Sequence, residues 1–309
     1  MQLSWLIFIS VLGFLSVLKL IFNLLKWVFI NFIRPPKNLK NYGSWALITG
    51  ATDGIGKAFA FQLAQKGLDL ILVSRNLAKL KQVSNEITSK HPTTKIKVFE
   101  VDFAGDNVVA GVKVMQEVIH DEKLDVGVLV NNVGVTYPVA RFFHEVGEEV
   151  WMKVVKVNVE GTTLVTKAVI EGMIKRKRGA IVNIGSGAAI VVPSHPLYAI
   201  YAASKACVDQ LSRSLYVEYK HLGIDVQCQV PLYVYTNMTS QSMVKKASLF
   251  TPTPDEYVKS AIQHIGYEYR CTPYWAHSIQ WFFASLAPDF LLDAWRLSIG
   301  LKRGGYKAF

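Results

Sequence analysis

A doubly wound parallel α/β sheet, of the Rossmann type with helices on both faces, is the fold this sequence predicts, and two observations carry it. Short apolar runs alternate with helical patterns over residues 45–233, and such alternation builds a parallel sheet. A glycine-rich turn, Gly50-Ala51-Thr52-Asp53-Gly54-Ile55-Gly56, joins the first run to the first helix. No second set of alternating signals and no internal repeat is present, so one such domain with attached segments fits 309 residues.

The first strand is read at 45–48. The first helix, 57–66, has Ala58, Phe59, Phe61, Leu63 and Ala64 at its apolar positions. Further strands fall at 68–74, 95–103, 126–130, 180–184 and 225–233. A charged amphipathic helix is expected at 76–90, and helical patterns cover 146–157 and 162–176. Ligands of such sheets bind at the carboxyl ends of the strands. After Pro231 the alternation gives way to segments at 239–250, 255–269 and 275–299.

Strand, glycine turn and helix together form a phosphate cradle. The glycines allow a tight turn and close backbone approach, and the helix N-terminus faces a pyrophosphate. Gly50, Thr52, Asp53, Gly54, Ile55 and Gly56 are the candidate contacts; a turn and nothing more is the plainer alternative. At the end of the second strand stand Ser74 and Arg75. A carboxylate there would bind both ribose hydroxyls of NAD, whereas a cation suits a 2′-phosphate, which favours NADPH. Tyr201 and Lys205 share one helix face a turn apart. A free phenol, with a pKa near ~10, is brought toward neutral pH by a nearby ammonium. Solvated helices also carry such pairs by chance.

With these motifs, and with Asn131-Asn132-Val133-Gly134, the stretch Gln227 to Val234 and Cys271-Thr272-Pro273-Tyr274-Trp275, the chain resembles the short-chain dehydrogenase/reductases. Within them it is similar to the membrane-bound very-long-chain 3-oxoacyl-CoA reductases, relatives of the type 12 17β-hydroxysteroid dehydrogenases. The likeness covers nearly the whole chain. It implies that Asp102 contacts adenine, that Asn131 and Gly134 line the adenine-ribose side, and that Thr236 binds the carboxamide. It also implies a catalytic set of Asn158, Ser186, Tyr201 and Lys205. Ser186 would hydrogen-bond the substrate carbonyl oxygen and Tyr201 would protonate it. Lys205 would bind the nicotinamide ribose and lower the tyrosine pKa, and Asn158 would hold a relay water. Plainer roles compete: a turn for Ser186, a helix kink or cap for Asn158, and a turn cap for Asp102. Tyr198 is a decoy, since Ala202 follows it at i+4.

Two departures from soluble relatives stand out. The interval from Ser186 to Tyr201 is longer and contains Pro193, Ser194, His195 and Pro196, and Leu232 follows Pro231 where glycine is usual. His195 has no partner visible in the sequence and is read as incidental.

The resemblance implies NADPH-dependent reduction of very-long-chain 3-oxoacyl-CoA in fatty-acid elongation at the endoplasmic reticulum. Condensing enzyme, dehydratase and enoyl reductase would be its partners. A 17β-hydroxysteroid or other bulky-ketone reductase, and a catalytically idle membrane scaffold, stay open as alternatives.

The chain ends bear on location. Residues 3–25 are largely apolar and carry one charge, Lys19, and about 20 such residues cross a bilayer; an interfacial helix and a signal peptide are the other readings. Arg34, Lys37 and Lys40 follow at once, which places the bulk of the chain on the cytosolic side. The expected division is an anchor and linker at 1–40, a catalytic core at 41–235 and a lid or membrane-resting segment at 236–309. The last contains Trp275, Trp281, Phe282, Phe283, Phe290 and Trp295, broken by Pro288, Asp289 and Asp293. Asn237-Met238-Thr239 matches a glycosylation acceptor that would stay unmodified in the cytosol, and Lys307 lacks the second lysine of a dilysine retrieval signal.

The net charge of +11 comes without a recognisable nucleic-acid module, so no nucleic-acid partner is expected. Lys175-Arg176-Lys177-Arg178 reads as a solvated helix end. The three scattered cysteines suggest a reducing compartment, and no cluster has metal-ligand spacing.

Overall fold

Apolar side chains without charge favour a helix that buries nothing within its own chain. That is what the N-terminal segment forms in the computed structural model, which describes residues 2–240 and 246–306. The chain divides into two units, Met1–Pro36 and Lys37–Phe309. In the first, α1 (Gln2–Val28) runs into a π turn, Phe29–Ile33. The stretch Trp5–Ile33 has mean hydropathy 2.4 and no buried part, so by length and composition it is a candidate membrane span.

The second unit begins with β1 (Trp45–Thr49), buried along its whole length as a strand covered on both faces must be. Ala46 and Ile48 enter one apolar cluster while Trp45 and Leu47 enter the other, following the two-residue period of a strand. Then follow α2 (Gly54–Gln65), β2 (Asp69–Ser74), α3 (Leu77–Lys90), β3 (Ile96–Glu100), α4 (Val108–Asp121) and β4 (Val126–Asn131). Next come α5 (Glu148–Val155), a π turn at Lys156–Glu160, α6 (Gly161–Arg176), β5 (Gly179–Ile184), the single turn α7 (Gly187–Ile190) and α8 (Ala199–Tyr219). The remainder is β6 (Ile224–Gln229), α9 (Asn237–Ser240), α10 (Pro254–Gln263), β7 (Arg270–Cys271), α11 (Trp275–Leu286) and α12 (Asp289–Gly304).

All strand pairs are parallel, in the order β3-β2-β1-β4-β5-β6-β7. Helices α2, α3 and α10 cover one face through Phe59, Leu63, Leu80, Ile87, Tyr257 and Ile262. Helices α4 and α6 cover the other through Val112, Met115, Val165 and Met173. The strand order reverses between β1 and β4, so the crevice lies outside their carboxyl ends.

Several elements differ from expectation. The strand read at 225–233 stops at Gln229, and β7 was not foreseen. A two-residue strand has no periodicity to read; the Arg270–Asp209 ion pair fastens it to α8. The segment 275–299 is two helices parted at Ala287-Pro288. The segment 255–269 is helical only as far as Gln263. Residues 241–245 of the segment 239–250, and Lys307, lie outside the described residues. In the basic cluster, Arg176 and Arg178 both pair with Asp125, a structural role.

Candidate active site

The turn after β1 needs glycine for geometric reasons. Gly50 and Gly54 adopt φ of +65° and +50°, where side chains are strained. A Cβ on Gly56 would stand 2.2 Å from the Gly50 carbonyl oxygen and 2.4 Å from Asn132 Nδ2. The Asn132 amide donates to the carbonyls of Thr49 and Gly50, and Thr49 Oγ1 accepts from the backbone N–H groups of Asn132 and Val133. Asn132 thus clamps the turn to the end of β4, a role its sequence motif did not reveal. Asp53 caps α2 by accepting from the Gly54 N–H at 2.7 Å and also accepts from Asn237. Thr236 packs against Gly54, which brings the segment after β6 to the same turn.

Thr52 Oγ1 lies 3.0 Å from Ser74 Oγ, tying the turn to the end of β2. Beside it Arg75 is exposed and has no ion pair among the described residues. A helix N-terminus behind a turn bare of side chains, flanked by a free guanidinium, fits a phosphorylated dinucleotide. Asp102 is exposed and caps its own turn, its Oδ1 accepting from the Ala104 N–H at 3.0 Å.

Asn131 and Gly134 have different surroundings. The Asn131 amide donates to Thr166 on α6 and Asn183 on β5, so its nitrogen faces protein. Gly134 lies beside the catalytic groups: its Cβ position is 3.3 Å from Lys205 Nζ and 3.4 Å from Asn158 Oδ1.

Ser186, Tyr201, Lys205 and Asn158 do come together. Ser186 follows β5 by two residues and caps α7, its Oγ accepting from the Ala188 N–H at 3.2 Å. The Tyr201 phenol is near enough to Ser186 for that side chain to act on its pKa. Lys205 Nζ is buried and donates to the Ile184 carbonyl at 2.8 Å. Asn158 sits in the π turn, a feature frequent at functional sites. Its Oδ1 accepts from the Val135 N–H at 2.8 Å, and its Nδ2 donates to the Val135 carbonyl and Ser204 Oγ. The kink role and a place in the catalytic cluster are therefore both present.

One electrostatic expectation is corrected. Burial raises the Tyr201 pKa, against a lowering by Ser186 and with a further rise from the Tyr233 phenol. Burial also brings the Lys205 ammonium down to about 8. Desolvation leads the rise, and the ammonium expected to lower the phenol is not among the groups acting on it.

Sequence reasoning also missed a cluster beside this one. His195 has a partner after all: Arg296 Nη2 lies 2.7 Å from its Nδ1. Burial, then the Arg296 and Arg303 charges, bring that imidazole down to about 3, so it is neutral. Burial acts to raise the Tyr233 pKa, but the same two guanidiniums outweigh it and leave the phenol below its usual value. These residues are 63 and more positions from their partners in sequence, and no local spacing marks them.

The sequence profile of the short chain dehydrogenase family matches residues 44–247. The chain belongs to that family. It is therefore an oxidoreductase that uses a nicotinamide cofactor. It is 57% identical to a very-long-chain 3-oxoacyl-CoA reductase-like protein of Arabidopsis thaliana, over 96% of this chain and 94% of that one. A very-long-chain 3-oxoacyl-CoA reductase of Aspergillus terreus is 40% identical, with 81% and 72% covered. The human inactive hydroxysteroid dehydrogenase-like protein 1 is also 40% identical, with 82% and 75% covered. Among solved structures, a short-chain dehydrogenase from Sphingobium yanoikuyae in complex with NADPH is similar at 28% identity and a TM-score of 0.63, with 71% of this chain and 83% of that one covered.

Proposed function

We propose that this protein reduces very-long-chain 3-oxoacyl-CoA to 3-hydroxyacyl-CoA with NADPH, in the elongation cycle at the endoplasmic reticulum membrane. The observation that carries the reading is the grouping of Ser186 and Tyr201 with buried Lys205 and Asn158, in a chain similar end to end to a reductase-like protein. Bound NADPH supplies the hydride. As charge grows on the ketone oxygen, Ser186 donates a hydrogen bond to it and Tyr201 gives up its proton. Lys205 holds the nicotinamide ribose and stabilises the phenolate left behind. Asn158 positions the water that returns the proton.

Arg75 and Ser74 take the 2′-phosphate. Gly50, Thr52, Asp53, Gly54, Ile55 and Gly56 cradle the pyrophosphate, Asp102 and Asn131 border the adenosine, and Gly134 and Thr236 border the nicotinamide. The basic residues after α1 favour a cytosolic catalytic unit, where the condensing enzyme, dehydratase and enoyl reductase of the cycle would meet it. Phe282, Phe283, Leu286, Phe290, Leu291 and Trp295 on α11 and α12 are 51–68% exposed. That surface suits lipid better than water, and neither helix, at 12 and 16 residues, is long enough to cross a bilayer.

A second reading, an idle scaffold, draws on the similarity to a relative named inactive; against it, this chain has all four catalytic residue types in one cluster. The full-length protein in membranes, given a long 3-oxoacyl-CoA with NADPH or NADH and, separately, estrone, decides. The expected result is 3-hydroxyacyl-CoA formed with NADPH in preference to NADH. No product from the thioester would leave the scaffold, and estrone as the better substrate would turn the reading to steroids.

A further inference from the structure

The phenol of Tyr233 lies near the catalytic cluster and is not used by the proposed chemistry. Its placement is firm. Pro231 accepts from the Gly187 N–H at 2.9 Å, and Leu232 packs against Gly187, the residue after Ser186. His277 braces the same segment, accepting from the Leu232 N–H through Nδ1 and reaching the Tyr233 carbonyl with Nε2 at 3.2 Å. Tyr233 is close enough to Tyr201 to raise its pKa.

Two guanidiniums from one face of α12 converge on this phenol. Arg303 Nη2 donates to Tyr233 Oη at 3.0 Å, and Arg296, 7% exposed, lies near enough for its charge to act on the same phenol. Neither arginine has a carboxylate partner among the described residues. A tyrosine hydroxyl has one proton to give and two lone pairs to accept with. Tyr233 accepts from the Arg303 guanidinium, and its own proton is left to give. No acceptor for that proton is present among the described residues, and a buried donor without an acceptor is costly. Acceptance from charged donors also makes the O–H a stronger donor.

We propose that Tyr233 hydrogen-bonds the thioester carbonyl oxygen of a 3-oxoacyl substrate, a second-carbonyl subsite beside the Ser186–Tyr201 pair that takes the ketone. Arg296 and Arg303 act as positioning residues, fixing the phenol with its proton outward. The inference rests on the substrate reading above and deepens it: selection is for a 1,3-dicarbonyl, not for a ketone alone.

The test compares full-length wild type and Tyr233→Phe on two matched ligands. One is a 3-oxoacyl-CoA; the other is its S-(3-oxoalkyl) thioether, which keeps the ketone and the coenzyme but lacks the second carbonyl. The thioether is read by turnover or by its inhibition constant. Tyr233→Phe is expected to lower kcat/KM for the thioester by about 10- to 100-fold, with the thioether constant changed less than about twofold and NADPH binding intact. Arg303→Gln should reproduce the selective loss and Arg303→Lys should partly restore it. An equal loss on both ligands, or no loss on either, overturns the subsite. Failure of the wild type to reduce the thioester at all overturns the substrate reading first, and is told apart because no substitution is involved.

Discussion

Lys205 is an ammonium that the fold holds in a poor solvent for charge. Burial brings it from 10.5 in the unfolded chain to about 8 in the folded one. Between those values the unfolded chain binds more protons, so stability rises with pH across that window and the gain is lost as pH falls through about 8. Lys205→Met removes the group. The melting temperature of cofactor-free wild type should therefore gain on that of the variant from about pH 8 to pH 10.5, followed by calorimetry; a constant difference would mean the lysine is solvated. The residue types of the catalytic set were legible because their motifs resemble those of the short-chain dehydrogenases, and ketone reduction uses a hydrogen-bond donor, an acid and a cation. The phenol's upward shift was not, because burial is a property of everything packed around Tyr201. The Arg296–His195 contact was equally hidden, since a histidine between two prolines gives no hint of a helix a hundred residues later.

At the scale of elements, the turn between β1 and α2 was legible because strand, glycines and helix occur in one short run. What the run could not show is how little space it leaves. Gly56→Ala must move the Gly50 carbonyl, since the new carbon would be 2.2 Å from its oxygen. The variant should lose about 1–3 kcal/mol of stability and bind NADPH at least about tenfold more weakly, by analogy with close-approach glycines in dinucleotide turns. Melting and cofactor titration measure both, and wild-type binding would count against the turn as cradle. The π turn holding Asn158 was foreseen only as a possible kink, because the pattern of apolar residues across 146–176 reads as helix on either side of it. The edge strand β7 depends on pairing with β6 and on Arg270–Asp209, both nonlocal, so its two residues carried no signal of their own.

At the scale of the whole molecule, apolar surface is distributed unevenly. The unit Lys37–Phe309 buries the apolar residues of its sheet but leaves Phe283 64% and Phe290 68% exposed, more than water alone would favour. If α11 and α12 rest on lipid, Phe283→Glu with Phe290→Glu should reduce activity on very long acyl chains several-fold while sparing short ones; equal activity across chain lengths would remove lipid from the account. The alternation that gave the sheet spans most of this unit, whereas the C-terminal helices had aromatic content without a partner in view. The most direct test of the central claim is turnover of a long 3-oxoacyl-CoA by Tyr201→Phe, with NADPH binding measured on the same sample. The account predicts a loss of about a thousandfold or more in kcat with cofactor affinity preserved, and turnover near that of the wild type would contradict it.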